Sequence, residues 1–138
     1  MGMQEQREKA VAMVRAVYED GEAEINGRKY RFHKMTHVQR RKVFAFYTSI
    51  APQLRADNME FLDTPQYAAV EEVMWSNISF DGVALNKARD HWDEFPEDYV
   101  QLVATSLGVI SYPFTRAAGI ASASQAGDQA KTSSEKPM

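Results

Sequence analysis

Apolar side chains recur at helical spacing in four stretches of this chain and alternate with polar ones in a fifth. In the first stretch, Glu5 to Tyr18, Ala10, Val11, Val14, Val17 and Tyr18 are spaced by threes and fours, which predicts a short helix ending near Gly21. Alternation follows from Glu22 to Phe32. Asn26-Gly27 sits at its centre and suits a tight turn whose two middle residues need positive φ, so a β-hairpin is expected. Its strands place Ala23 and Ile25 on one face and Tyr30 and Phe32 on one face, with Lys29 and Arg31 turned to solvent. Thr36-His-Val-Gln39 matches a capping box and starts the next helix, in which Val43, Phe46, Tyr47 and Ile50 form the buried stripe. Pro52 marks the end of that helix or a kink in it.

Asp63-Thr64-Pro65 reads as another helix start, a capping residue followed by Pro at the first helical position. Tyr67, Val70 and Met74 form the apolar face of this helix, and Glu71 and Glu72 its wet side. A second, shorter hairpin is expected around Asp81-Gly82. Phe95-Pro96-Glu97-Asp98 opens the last helix, whose acidic first turn complements the helix dipole and whose stripe runs Tyr99, Leu102, Val103, Ser106, Leu107 and Ile110. Beyond Pro113 and Phe114 apolar residues thin out, and residues 119–138 lack the side chains that would offset the entropy of ordering them. The expected fold is α+β and predominantly helical: a small N-terminal β-hairpin followed by a helical bundle, in one domain over residues 1–118, with a disordered polar tail over 119–138.

Composition narrows this picture. The chain has 138 residues, 44% of them hydrophobic, enough for one domain with a core. It has no Cys, which removes disulfides, thiolate nucleophiles and Cys-based zinc sites together. The opening residues are polar where a signal peptide becomes apolar, and the longest apolar stretch, Tyr99 to Phe114, is interrupted by Gln101, Thr105, Ser106 and Pro113. A soluble cytoplasmic protein is the expectation.

Charge is unevenly divided. Arg28 to Ala56 carries eight Lys or Arg and no acid, whereas Asp57 to Tyr99 carries eleven acids against Lys87 and Arg89. The net charge of −3 thus conceals two adjacent segments of opposite field, which attract partners or each other. Three cations, Arg40, Arg41 and Lys42, crowd the first turns of the helix after Thr36, where they oppose its dipole.

Catalytic constellations are weak by comparison. His33 and His37 are separated by the helix start at Thr36 and so do not share a helical face as metal ligands. His91, beside Asp90, Asp93 and Glu94, lacks the alternation and Gly of a calcium loop and reads as solvated surface. No Gly-x-Ser-x-Gly elbow surrounds any Ser, and the glycines are too isolated to cradle a phosphate. Glu71 and Glu72 point in different directions on one helix. A non-enzymatic protein without metal or cofactor is expected.

Trp75 and Trp92 read as core or core-edge residues, whereas Phe44 lies off the Val43, Phe46, Tyr47, Ile50 stripe and is a candidate surface contact. The run Ile25-Asn-Gly-Arg-Lys-Tyr-Arg-Phe-His-Lys-Met-Thr-His-Val-Gln-Arg-Arg-Lys-Val, then Phe80-Asp-Gly-Val, Trp92-Asp-Glu-Phe-Pro-Glu-Asp-Tyr-Val-Gln-Leu and Tyr112-Pro-Phe, resembles the tail assembly chaperones of long-tailed bacteriophages, over about Glu22 to Phe114. The resemblance implies a small, mainly helical, cofactor-free cytoplasmic protein that coats hydrophobic helices of the tape measure protein and helps recruit tail tube subunits. Many members of that family are made in a short form and a frameshifted long form. On this reading the partner helix lies in a groove between the Thr36 and Pro96 helices, with Arg40, Arg41, Phe44 and Tyr47 at the contact edge. Complementary charge segments also allow head-to-tail self-association. The alternative is a small nucleic-acid-binding regulator acting through Arg28 to Lys42, whose cations interleave with Tyr30 and Phe32; a sequence pI near 5.6 argues against it.

Overall fold

The computed structural model describes residues 2–118, the side chains of 2–8, 10, 117 and 118 excepted; the expected polar tail, 119–138, lies outside the described residues. Helix α1 (Gly2–Asp20) leads into strands β1 (Glu22–Ile25) and β2 (Arg28–Phe32), helix α2 (His37–Arg55) and helix α3 (Pro65–Ser76). Strands β3 (Ile78–Phe80) and β4 (Val83–Ala84) follow, then the single-turn helix α4 (His91–Glu94) and helix α5 (Tyr99–Ala118). Short 3₁₀ turns at Glu60–Asp63 and Pro96–Asp98 precede α3 and α5. The protein is α+β and predominantly helical.

Local chemistry explains most of these elements. Asn26 (φ 53°) and Gly27 (φ 82°) turn the first hairpin, pairing Ala23 with Tyr30 and Ile25 with Arg28. Thr36 Oγ1 accepts from Gln39 N at 3.2 Å while Gln39 Oε1 accepts from Thr36 N at 3.1 Å, completing the capping box. Thr64 caps α3 with Pro65 behind it. Pro52 lies inside α2, which runs on to Arg55, so of the two readings for it the helix end is excluded; Pro113 lies inside α5.

Tertiary packing unites what the sequence shows as two hairpins. Strand β2 pairs with β3, Tyr30 opposite Phe80, so all four strands form one antiparallel sheet in the order β1-β2-β3-β4. Its inner face, with Ile25, Tyr30 and Ile78, joins Val43 and Ile50 of α2, Tyr67, Val70, Met74 and Trp75 of α3, and Leu102, Val103, Leu107 and Ile110 of α5 in the main core. A smaller cluster of Val17, Ala23 and Val109 fastens α1 and β1 to α5. Helix α1 approaches α5 closely at Gly108, where a methyl group would sit 3.3 Å from Val14 Cγ2.

Two sequence expectations are corrected here. His91 is buried, not solvated: it faces inward from a one-turn helix, against Tyr30, Phe80, Trp92 and Phe95, while Asp90, Asp93 and Glu94 remain exposed. The acidic first turn expected of the last helix is a separate 3₁₀ turn before α5, and its Asp98 is fully buried and turned toward the first hairpin. In both cases exposed acids next in sequence give a wet signature to a position whose side chain points the other way.

Candidate functional site

The buried carboxylate of Asp98 accepts four hydrogen bonds. Oδ1 takes Asn26 Nδ2 at 2.6 Å and Arg28 Nη2 at 2.9 Å; Oδ2 takes Arg28 Nε at 2.6 Å and Tyr30 Oη at 2.6 Å. Arg28 Nη2 also reaches Glu97 at 2.6 Å, and its guanidinium lies 4.1 Å from the centre of the Phe95 ring. Because the single Tyr30 hydroxyl proton goes to Asp98, the contact between Tyr30 Oη and His91 Nε2 at 2.8 Å calls for an Nε2–H imidazole donating to the hydroxyl. The hairpin turn supplies Asn26, alternation along β2 turns Arg28 and Tyr30 the same way, and the 3₁₀ turn presents Asp98.

These contacts set the charges. Hydrogen bonds from Arg28 hold the Asp98 carboxyl down to about 2, with help from Tyr30 and Asn26 and against its burial. Burial raises the Tyr30 hydroxyl, and the neighbouring Asp98 raises it further. Burial likewise lowers His91, partly opposed by Asp98. The node therefore holds an ionised Asp98–Arg28 pair beside a neutral Tyr and a neutral His. Asp98 and Tyr30 are both 0% exposed, and any substrate would have to displace an existing hydrogen bond. Its chemistry is to fasten the first hairpin to the start of α5.

The basic segment does not form one cationic face. Arg28 is spent on Asp98 and Glu97, and Lys29 and Arg31 lie directly across from Glu24 and Glu22 in the hairpin. Lys34 is exposed before α2, and Arg41 and Lys42 are exposed in its first turns, but Arg55 lies 13 residues beyond Lys42, about 20 Å along the helix. The basic and acidic segments thus meet within the chain, at Arg28.

The residues expected at a partner-binding edge are distributed differently from that reading. Helices α2 and α5 lie directly against each other, so the seam where a groove was expected is a filled interface. Arg40 donates from Nη1 to the Ile110 carbonyl at 2.9 Å and lines a cavity of about 320 Å³ beside Tyr18 and Met35. Phe44 is half-buried and stacks on Phe114 at 4.8 Å, holding the two helices together. Tyr47 is half-buried against the core, its hydroxyl raised by burial. Arg41 alone of the four is exposed. Glu71, expected on a wet face, is half-buried and accepts the Tyr99 hydroxyl, while Glu72 is exposed and accepts Asn86 Nδ2 at 3.1 Å.

An open cleft lies on the other side of α2. After Arg55 the chain reverses through Asp57 (φ 57°), and the following 3₁₀ turn brings Phe61 beneath the helix, edge-on to Phe46 at 5.9 Å and to Tyr67 at 5.5 Å. Between α2 and this turn is a space of about 420 Å³, floored by Phe46, Ile50 and Phe61 and rimmed by Ser49, Gln53, Glu60, Thr64 and Gln66. Ser49 and Gln53 fall three and seven residues after Phe46, on the same helical face. That mixture of polar positions within an apolar stripe is a sequence signal for a face that meets solvent beside the core. An apolar floor beneath hydrogen-bonding side chains, of which Glu60 is the one acid, suits a side chain of another protein segment.

Among the described residues no group of three or more His, Asp or Glu is arranged to hold a metal ion, and no helix is long and apolar enough to cross a membrane. No protein-family model, no curated protein and no solved structure matches the chain.

Proposed function

We propose that this protein is a non-enzymatic cytoplasmic chaperone of phage tail assembly, which holds helices of the tape measure protein and tail tube subunits until they are incorporated. The cleft beside Phe46 supports this reading, because that half-buried ring, seated on the buried Ile50 and Phe61, is reachable by a partner side chain beneath a polar rim. The resemblance of Glu22 to Phe114 to tail assembly chaperones supports it from the sequence. Relative to the sequence reading, the docking face moves from the α2–α5 seam to the α2–α3 side. A nucleic-acid-binding role receives less support, since Arg28 and Arg40 are bonded within the protein and Lys29 and Arg31 stand across from Glu24 and Glu22.

The test is co-expression with amphipathic helical segments of tape measure proteins, followed by capture at about 150 and 500 mM salt. Capture that persists at both, and that is lost when Ser49→Trp fills the cleft, is the expected result. Capture that is unaffected by Ser49→Trp, or retention of nucleic acid that disappears at the higher salt, overturns the assignment. Arg41→Ala, outside the cleft lining, leaves capture unchanged.

A further inference from the structure

The cavity of about 320 Å³ beside Arg40 lies where the end of α1, the link from β2 to α2 and the middle of α5 meet. Its inner wall is closed core, so its open surface comes mainly from the half-buried rings of Tyr18 and Phe32 and from polar side chains. Cations prevail among these. Lys34, exposed, and Arg40, half-buried, both line the space, and His33 lines it while held through Nε2 to Ser79 Oγ at 2.8 Å. Arg116 adds a third full charge close by: its guanidinium is 5.6 Å from the centre of the Tyr18 ring, and that of Arg40 is 6.0 Å from the same ring. Among the described residues none of Lys34, Arg40 and Arg116 has a carboxylate within ion-pair distance. Glu19, the one acid in the lining, pairs with Arg15 at 3.5 Å along α1. Of the five N–H groups of Arg40, one on Nη1 goes to the Ile110 carbonyl, and among the described residues the others have no hydrogen-bond partner. A carbonyl satisfies a donor but does not neutralise a charge, and a half-buried guanidinium is stabilised by an anion that takes its remaining donors.

We infer that this cavity binds a small organic anion: its acid group, a carboxylate or a phosphate, meets Arg40 and Lys34, and its apolar body lies against the rings of Tyr18 and Phe32. The volume is at the lower end of the range of about 300–1,000 Å³ usual for small-molecule sites, which suits an acid with a single ring. The site shares no residue with the cleft beside Phe46 and does not rest on the docking reading.

Phenyl phosphate, benzoate and the neutral benzyl alcohol, titrated into the full chain and followed by two-dimensional NMR, test it. Both acids should give saturable shifts centred on Tyr18, Lys34 and Arg40, the tighter of the two identifying the preferred acid group, and the alcohol should bind about tenfold more weakly. Arg40→Gln should weaken the acids about tenfold, with circular dichroism confirming the fold. Lys34→Glu, at an exposed position, should weaken them by at least about threefold, whereas Arg41→Glu, the same change of charge on α2 outside the cavity, should leave them unchanged. Ser49→Trp, in the cleft, should have no effect. Absence of saturation at about 10 mM of either acid, or equal binding of the alcohol, overturns the inference. Equal weakening by Arg41→Glu and Lys34→Glu overturns it too, because the attraction then belongs to a diffuse field. So does a single-stranded oligonucleotide that binds more tightly than phenyl phosphate and also shifts Arg41 and Lys42.

Discussion

Around Asp98, polar side chains from the first hairpin, α4 and the turn before α5 are buried and bonded to one another, whereas in the cleft on α2 the half-buried Phe46, seated on buried Ile50 and Phe61, meets solvent beneath a rim of polar groups. The first arrangement spends its hydrogen-bonding capacity inside the protein and joins segments about 70 residues apart in sequence. The second leaves capacity unspent. The difference separates the region that holds the chain together from the region proposed to take a partner: removing a buried partner exposes an uncompensated charge, while altering a cleft rim leaves the core in place.

The sharpest way to break this contrast is Arg28→Ala. It leaves Asp98 buried with only Asn26 and Tyr30 as donors, and should lower stability by about 3–5 kcal/mol in urea denaturation. A loss below about 1 kcal/mol would mean that the pair behaves as an ordinary surface bridge. Tyr30→Phe removes the hydroxyl between Asp98 and His91 and should cost about 1–3 kcal/mol. Its partner group identifies the cause, because the His91 resonance followed by NMR should shift in the variant.

Acid should act on the same node. His91 binds a proton less readily folded than unfolded, so its contribution is fully present above the ordinary His value of about 6.5 and erodes as pH falls below it. Asp98, held at about 2 against 3.8, contributes above pH 3.8 and loses that contribution as pH falls toward 2. Urea midpoints measured from pH 8 to 2 should therefore fall in two stages, and His91→Gln should remove the upper one. The smallest effect belongs to the cleft: Ser49→Ala should change stability by no more than about 0.5 kcal/mol. A larger loss would show that the rim belongs to the core after all.

Sequence alone determined the elements whose causes lie within a few residues. Asn26-Gly27 forces its turn through the backbone conformations it permits, and Thr36 with Gln39 caps α2 through contacts three residues apart. The same short range made the strand faces legible, with Tyr30 in and Lys29 out. Only the tertiary structure decided which way Asp98 and His91 face, because their partners come from the distant hairpin and their sequence neighbours are exposed acids. It also decided that the α2–α5 seam is filled and that the opening lies across α2: Phe44 found Phe114, and a left-handed step at Asp57 carried Phe61 under the helix. Periodicity reports how many apolar faces a helix has, but what covers each face depends on where the remainder of the chain returns.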